Sequence, residues 1–135
     1  MTTAADVIAE ARTWLGTPFH HQGRLKGVGV DCAGVAVGVA HALGLSDFDS
    51  RDYGREPFNG LMRATLNAHM DAVDTPQPGD VLLMVFLIEE QHVAILTDTD
   101  TMIHSYESAG RCVEHRYSEA WKARTRGAWR FRGLT

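Results

Sequence analysis

The sequence predicts an α+β fold, a buried helix packed on an antiparallel sheet of about five short strands. Three observations carry that reading. The run Cys32–Leu43 (CAGVAVGVAHAL) is apolar on every side, and a helix without a polar face belongs in a core. Apolar residues at helical spacing fill the first half of the chain and stop at TPQPGD, residues 75–80. Beyond that break they fall into runs of strand length separated by turn formers. Helices followed by a strand meander place helices on one face of an antiparallel sheet. At 135 residues and 44% hydrophobic composition the chain fits a single domain, 1–135.

In chain order, Val7, Ile8, Ala11, Trp14 and Leu15 predict an amphipathic helix over 4–15. Thr3 and Asp6 have the spacing of a capping box, and Gly16-Thr17-Pro18 ends the helix. A loop from Phe19 to Val30 leads to Asp31, an N-cap for the helix that begins at Cys32 and stops at Gly44. Residues 46–57 are polar and turn-rich, hence a surface excursion. Phe58, Leu61, Met62, Thr65, Leu66 and His69 predict a third helix. The expected strands are 81–88, 92–97, 101–106, 112–117 and 128–132, with 89–91 and 108–110 as turns and a short helix over 118–123.

Composition excludes several classes. A net charge of −4 argues against nucleic-acid binding, and no apolar run reaches the ~18 residues that span a bilayer. The N-terminal stretch lacks a basic region and carries Asp6, Glu10 and Arg12 among its apolar residues, so it does not read as a secretory signal. Two cysteines, Cys32 and Cys112, make no disulfide framework. Lys122, Arg124, Arg126, Arg130 and Arg132 cluster near the end, a solvated face or a contact patch on the side away from Cys32.

The chemistry centres on Cys32. In the first turn of a helix, unpaired N–H groups and the helix dipole favour a thiolate, which turns a small core residue into a nucleophile. His92 opens one strand and His104 sits within the next, so a hairpin brings both imidazoles together, on the sheet face toward the helix. A Cys at a helix N-terminus facing a strand His is the papain-like arrangement, in which a third polar group orients the His. A zinc hydrolase using His92, His104 and His20 or His21 is the metal alternative, but no HExxH or CxxC spacing favours it.

The segments GTPF (16–19), HQGR (21–24), GVGVDCAG (27–34), QPGD (77–80), HVAIL (92–96) and MIHSYESAGRCVEH (102–115) together resemble the NlpC-type cell-wall cysteine peptidases. They resemble most the small version encoded among phage tail genes. The resemblance implies a papain-like fold with Cys32 as nucleophile, His92 as general base, His104 as third member, and no metal or organic cofactor. It further implies an amide in peptidoglycan stem peptides as substrate, next to D-glutamate, and tail hub or tip proteins as partners. The location it implies is a virion, tail-like or gene-transfer particle. Two positions depart from the family pattern. Phe19 stands where a Tyr hydroxyl usually assists the oxyanion, which leaves the N–H of Cys32, His20 or His21 as donors, with Asp31 beside them. Ala33 replaces a Ser. The alternatives are a structural tail-tip component that keeps the fold, or a papain-like amidase or acyltransferase on another substrate. His41 reads as a helix-end residue, His69 and His115 as surface residues, and Cys112 as a packed strand residue.

Overall fold

In the computed structural model, which describes residues 1–135, Thr3 and Asp6 form the reciprocal capping box and α1 follows as Ala4–Arg12. Trp14 and Leu15 lie in the turn beyond it rather than in the helix, and Gly16 at φ 83° redirects the chain. The expected loop contains a small hairpin, β1 (Arg24–Leu25) with β2 (Gly29–Val30). Next comes α2, Cys32–Ala42. The Asp31 carboxylate accepts from the N–H of Gly34 at 2.8 Å, and Gly44 at φ 68° stands past its end. At its far end His41 donates to the carbonyl of Phe48.

The apolar belt of α2 is used in two ways. Gly34, Val35, Val39 and Ala40 are buried. Ala33, Ala36 and Val37 instead line a cavity of about 150 Å³ beneath the excursion, with Phe48, Tyr53, Met62 and Leu66 as its other walls. Gly34 is required by close approach: a side chain there would collide with the carbonyl of Gly23 and with Val30. The start of α2 is thereby locked to the loop before it.

The rest of the chain forms α3 (Leu61–His69), β3 (Asp71–Val73), β4 (Val81–Phe86), β5 (Glu89–Asp98), β6 (Thr101–Tyr106), β7 (Arg111–Arg116), α4 (Glu119–Arg124) and β8 (Thr125–Arg130). Six of these strands make one antiparallel sheet in the order β3-β8-β4-β5-β6-β7. The sheet is one strand wider than expected because β3, three residues long, leaves no periodic pattern in the sequence. The β4–β5 turn falls at Leu87–Ile88, not at residues 89–91. Glu89 pairs with Phe86 and Glu90 with Val85, and Arg63 holds Glu90 at 2.6 Å near the hairpin end.

Two cores flank the sheet. On one face Val81, Leu83, Val93, Ile95, Ile103 and Trp129 pack against Val7 and Ala11 of α1 and Val35 and Val39 of α2. On the other Leu82, Met84, Ala94, Leu96, Met102 and Ala128 are covered by Tyr117 and Trp121. The QPGD segment is a structural turn: Asp80, 1% exposed, accepts from the N–H of Gln77 and takes both ends of the Arg130 fork at 2.9 and 2.8 Å. Arg132 pairs with Asp71 and donates to the carbonyls of Ala68 and Met70 at the end of α3. These two arginines of the basic cluster are clamps within the domain rather than a free contact patch.

Candidate active site

The site is built where two strands part. The β5–β6 ladder pairs Leu96 with Met102 and Ile95 with Ile103 and stops there, although both strands run on to His92 and Tyr106. The start of α2 is seated at this opening. Ser105 donates its hydroxyl to the carbonyl of Val30 at 2.6 Å. Cys32 is half-buried and lines a cleft of about 550 Å³ that His92 also lines.

The imidazoles stand on the sheet face away from α1 and α2, not on the face toward the helix. Side chains alternate along a strand. Val93, Ile95 and Ile103 fill the core under the helices, so His92 and His104 take the opposite face. There they form a chain of rings. Nε2 of His92 lies 2.6 Å from Nδ1 of His104, and Nε2 of His104 lies 2.8 Å from Nε2 of His115. Nδ1 of His115 lies 2.9 Å from the carbonyl oxygen of Arg116. His115, expected on the surface, is a half-buried member of this chain, because Met102 pairs with His115 and His104 with Val113. That register makes His104 and His115 diagonal neighbours on one face.

Aromatic rings hold the imidazoles in place. Phe86 stacks on His92 at 4.7 Å, Tyr106 on His104 at 5.0 Å, and Trp121 meets His104 edge-on at 5.0 Å. Sequence reasoning missed all three, although His104 and Tyr106, two apart on a strand, must share a face. Burial, and then the neighbouring His104, pushes the His92 imidazole well below its ordinary range. His104 is pushed down to about 3, mainly by burial. The Cys32 thiol is pushed up to about 12 by burial first and the Asp31 charge second, against the N–H groups of Val93 and Ala33 and the charge of Arg24. Burial therefore works against the charged form of each, in opposition to the thiolate that the helix N-terminus favours.

Phe19 and His21 line the cleft, His21 edge-on to Tyr53 at 5.6 Å. His20 is turned out of it, its Nδ1 on the carbonyl of His21 and its side chain against Gly29. Asp31 touches the cleft, yet its carboxylate is fully engaged. It accepts from Gly34 and Gln22 backbone N–H groups, from Arg24 at 3.0 Å and from the Tyr53 hydroxyl at 2.6 Å. Arg24 also donates to Asp49, to the Ser50 carbonyl and to the Tyr53 hydroxyl, and Gln22 donates to the carbonyls of Arg51 and Tyr53. This network straps the 46–57 excursion beside Cys32. Tyr53 escaped sequence reasoning because its partner lies 22 residues away, outside any local pattern. Arg124, expected on the far side, lines the cleft across Phe86 and Trp121. No group of three His, Cys, Asp or Glu side chains is arranged to hold a metal ion.

The sequence profile of the NlpC/P60 family matches residues 16–130. The fold is similar to that of an NlpC/P60 family protein from Bacillus cereus, with a TM-score of 0.73 and 24% identity over 96% of this chain and 40% of that one. It is also similar to the NlpC/p60 domain of the peptidoglycan hydrolase SagA, with a TM-score of 0.64 and 20% identity over 95% and 98% of the two chains. A third likeness is to the peptidoglycan hydrolase RipB from Mycobacterium tuberculosis, with a TM-score of 0.65 and 22% identity over 95% and 64%. The chain thus spans less than half of the Bacillus cereus protein and almost the whole of the SagA domain. No curated protein matches it. The profile covers both the Cys32 segment and the two strands that carry His92 and His104: the chain belongs to the NlpC/P60 family.

Proposed function

We propose that this chain is a cysteine peptidase that hydrolyses an amide bond in peptidoglycan stem peptides, next to D-glutamate. One observation carries the reading: a single cleft holds the sulfur of Cys32, the open N-terminus of α2 and His92 in contact with His104. The sulfur attacks the carbonyl carbon while its proton passes to Nδ1 of His92, the ring nitrogen not bonded to His104. The tetrahedral oxyanion forms beside the N–H of Cys32, which has no partner within the helix. His92 returns the proton to the leaving nitrogen as the C–N bond breaks. It then takes a proton from water as the water oxygen attacks the thioester carbon; the C–S bond breaks, the acid leaves and the proton returns to the sulfur. Digestion of purified peptidoglycan, with mass analysis of the fragments, tests this reading. The wild-type protein is expected to release stem-peptide fragments and Cys32→Ala none. Intact peptidoglycan after treatment with folded wild-type protein would overturn it.

The likeness of the motifs to the tail-encoded version supports delivery on a phage tail or tail-like particle, docked to hub or tip proteins. A structural role on that particle is the second reading, favoured by Phe19, which brings no hydroxyl to the oxyanion, and by Tyr53, whose hydroxyl is committed to Asp31. Particles carrying Cys32→Ala separate the two. The enzyme reading expects normal assembly with poor delivery through intact walls, and the structural reading expects normal delivery.

A further inference from the structure

We propose that His115 is a positioning residue of the active site, which sets where the hydrogens lie on His104 and His92. The proposal rests on His92 serving as the base toward Cys32. Donors and acceptors along the ring chain fix each hydrogen in turn. A backbone carbonyl only accepts, so the 2.9 Å contact from His115 Nδ1 to the Arg116 oxygen places a hydrogen on Nδ1. A neutral ring carries one hydrogen, which leaves Nε2 of His115 with a lone pair. The 2.8 Å contact to His104 Nε2 then requires a hydrogen on that nitrogen and a lone pair on His104 Nδ1. The 2.6 Å contact next along requires a hydrogen on His92 Nε2. The lone pair of His92 is left on Nδ1, the nitrogen able to accept a proton from sulfur.

Without His115 the ring chain has no anchor. Nε2 of His104 loses its acceptor, and the ring is free to carry its hydrogen on Nδ1. That hydrogen would point at His92 Nε2 and move the His92 hydrogen to Nδ1, where the imidazole is no base toward Cys32. His104 alone does not decide between these two arrangements, since its ring nitrogens accept or donate equally well. The carbonyl of Arg116, transmitted by His115, breaks the symmetry. Trp121, in ring contact with His104 and His115 at 5.0 and 5.5 Å, keeps the two rings in register.

The test reads hydrogen positions directly, by side-chain ¹⁵N spectra of histidine-labelled full-length protein without substrate. The expected wild-type pattern is a hydrogen on Nε2 of His92, Nε2 of His104 and Nδ1 of His115; any other pattern overturns the proposal. His115→Phe keeps the shape of the ring without an acceptor. It is expected to mix the two His92 forms and to lower kcat on stem peptides by about 10- to 100-fold, with KM little changed. His115→Gln offers an amide oxygen near the position of Nε2 and is expected to restore both the His92 form and kcat. A folded His115→Phe with wild-type spectra and kcat, or a His115→Gln as impaired as His115→Phe, would overturn the role. The spectra need no turnover. A protein inactive on peptidoglycan but with the expected hydrogen pattern would therefore sink the peptidase reading and leave the positioning of His92 standing.

Discussion

Ser105 of β6 donates its hydroxyl to the carbonyl of Val30 at 2.6 Å, two residues before Cys32. The strand that carries His104 and Tyr106 therefore also seats the start of α2, where Cys32 and His92 line one cleft. The arrangement depends on the parting of β5 from β6, since a continued ladder would close the opening with backbone pairing. The opening is kept by α2, whose start is tied down by Ser105 on one side and by the Asp31 network on the other.

Burial disfavours the charged forms of both Cys32 and His92. The ultraviolet difference between wild type and Cys32→Ala is expected to show no thiolate at pH 6 to 7 and to rise only in the alkaline range. Alkylation of Cys32 by iodoacetamide should quicken with pH in parallel. A thiolate signal on the acidic side of neutrality would show that the dipole of α2 outweighs burial and the Asp31 charge.

Arg24 and Asp31 form an ion pair in which both side chains are largely buried, 10% and 5% exposed. Removing one member leaves the other charge stranded, so Arg24→Met is expected to cost about 3–5 kcal/mol in denaturant unfolding. Tyr53→Phe removes one donor from a carboxylate that keeps three others, and should cost about 1–3 kcal/mol. Equal losses for the two variants would mean that the strap over the excursion, rather than the buried charge, dominates.

The capping box, the start of α2 at Cys32 and the meander that carries His92 and His104 were legible in the sequence, because each follows from spacing within one element. His115 was not legible as a partner, since a histidine on an outer strand joins the site only through the β6–β7 register. The face that bears the histidines was misjudged for a related reason. Strand period says which residues share a face, but the face that α2 covers depends on packing. Tyr53 lay hidden in a polar stretch because its meaning comes from a tertiary bond to Asp31.

Acid should destabilise the domain through its histidines. His92 and His104 titrate lower in the folded chain than their usual 6.5, so on acidification the unfolded chain binds those protons first. Stability is then full above pH 6.5 and falls below it, with a slope of up to about 1.4 kcal/mol per pH unit for each histidine. Asp49, Glu90 and Glu114, held below the ordinary carboxylate range by Arg24, Arg63 and Arg12, add to the loss only at lower pH. Urea titrations between pH 7 and 5 check this. His104→Gln should remove one histidine's share of the slope, and an unchanged slope would show that His104 titrates normally in the folded protein.

Phe19 offers the sharpest test of how the oxyanion is held. Its ring lines the cleft beside Cys32, while its backbone is fixed by its N–H on the Gly110 carbonyl and by its bridge to Val30. Adding a hydroxyl to that ring places a donor in open cleft rather than in the packed core, so Phe19→Tyr should leave the melting temperature unchanged. One oxyanion donor is worth about 10²–10³ in kcat. If the N–H of Cys32 works unaided, Phe19→Tyr should raise turnover of stem peptides toward that range, with KM little affected. His21 is the competing donor, since it too lines the cleft and makes no hydrogen bond within the protein through its ring. Should His21 already fill the place, Phe19→Tyr would give no gain and His21→Ala would lose turnover by a similar factor. Measuring both variants against wild type on one substrate decides between the two.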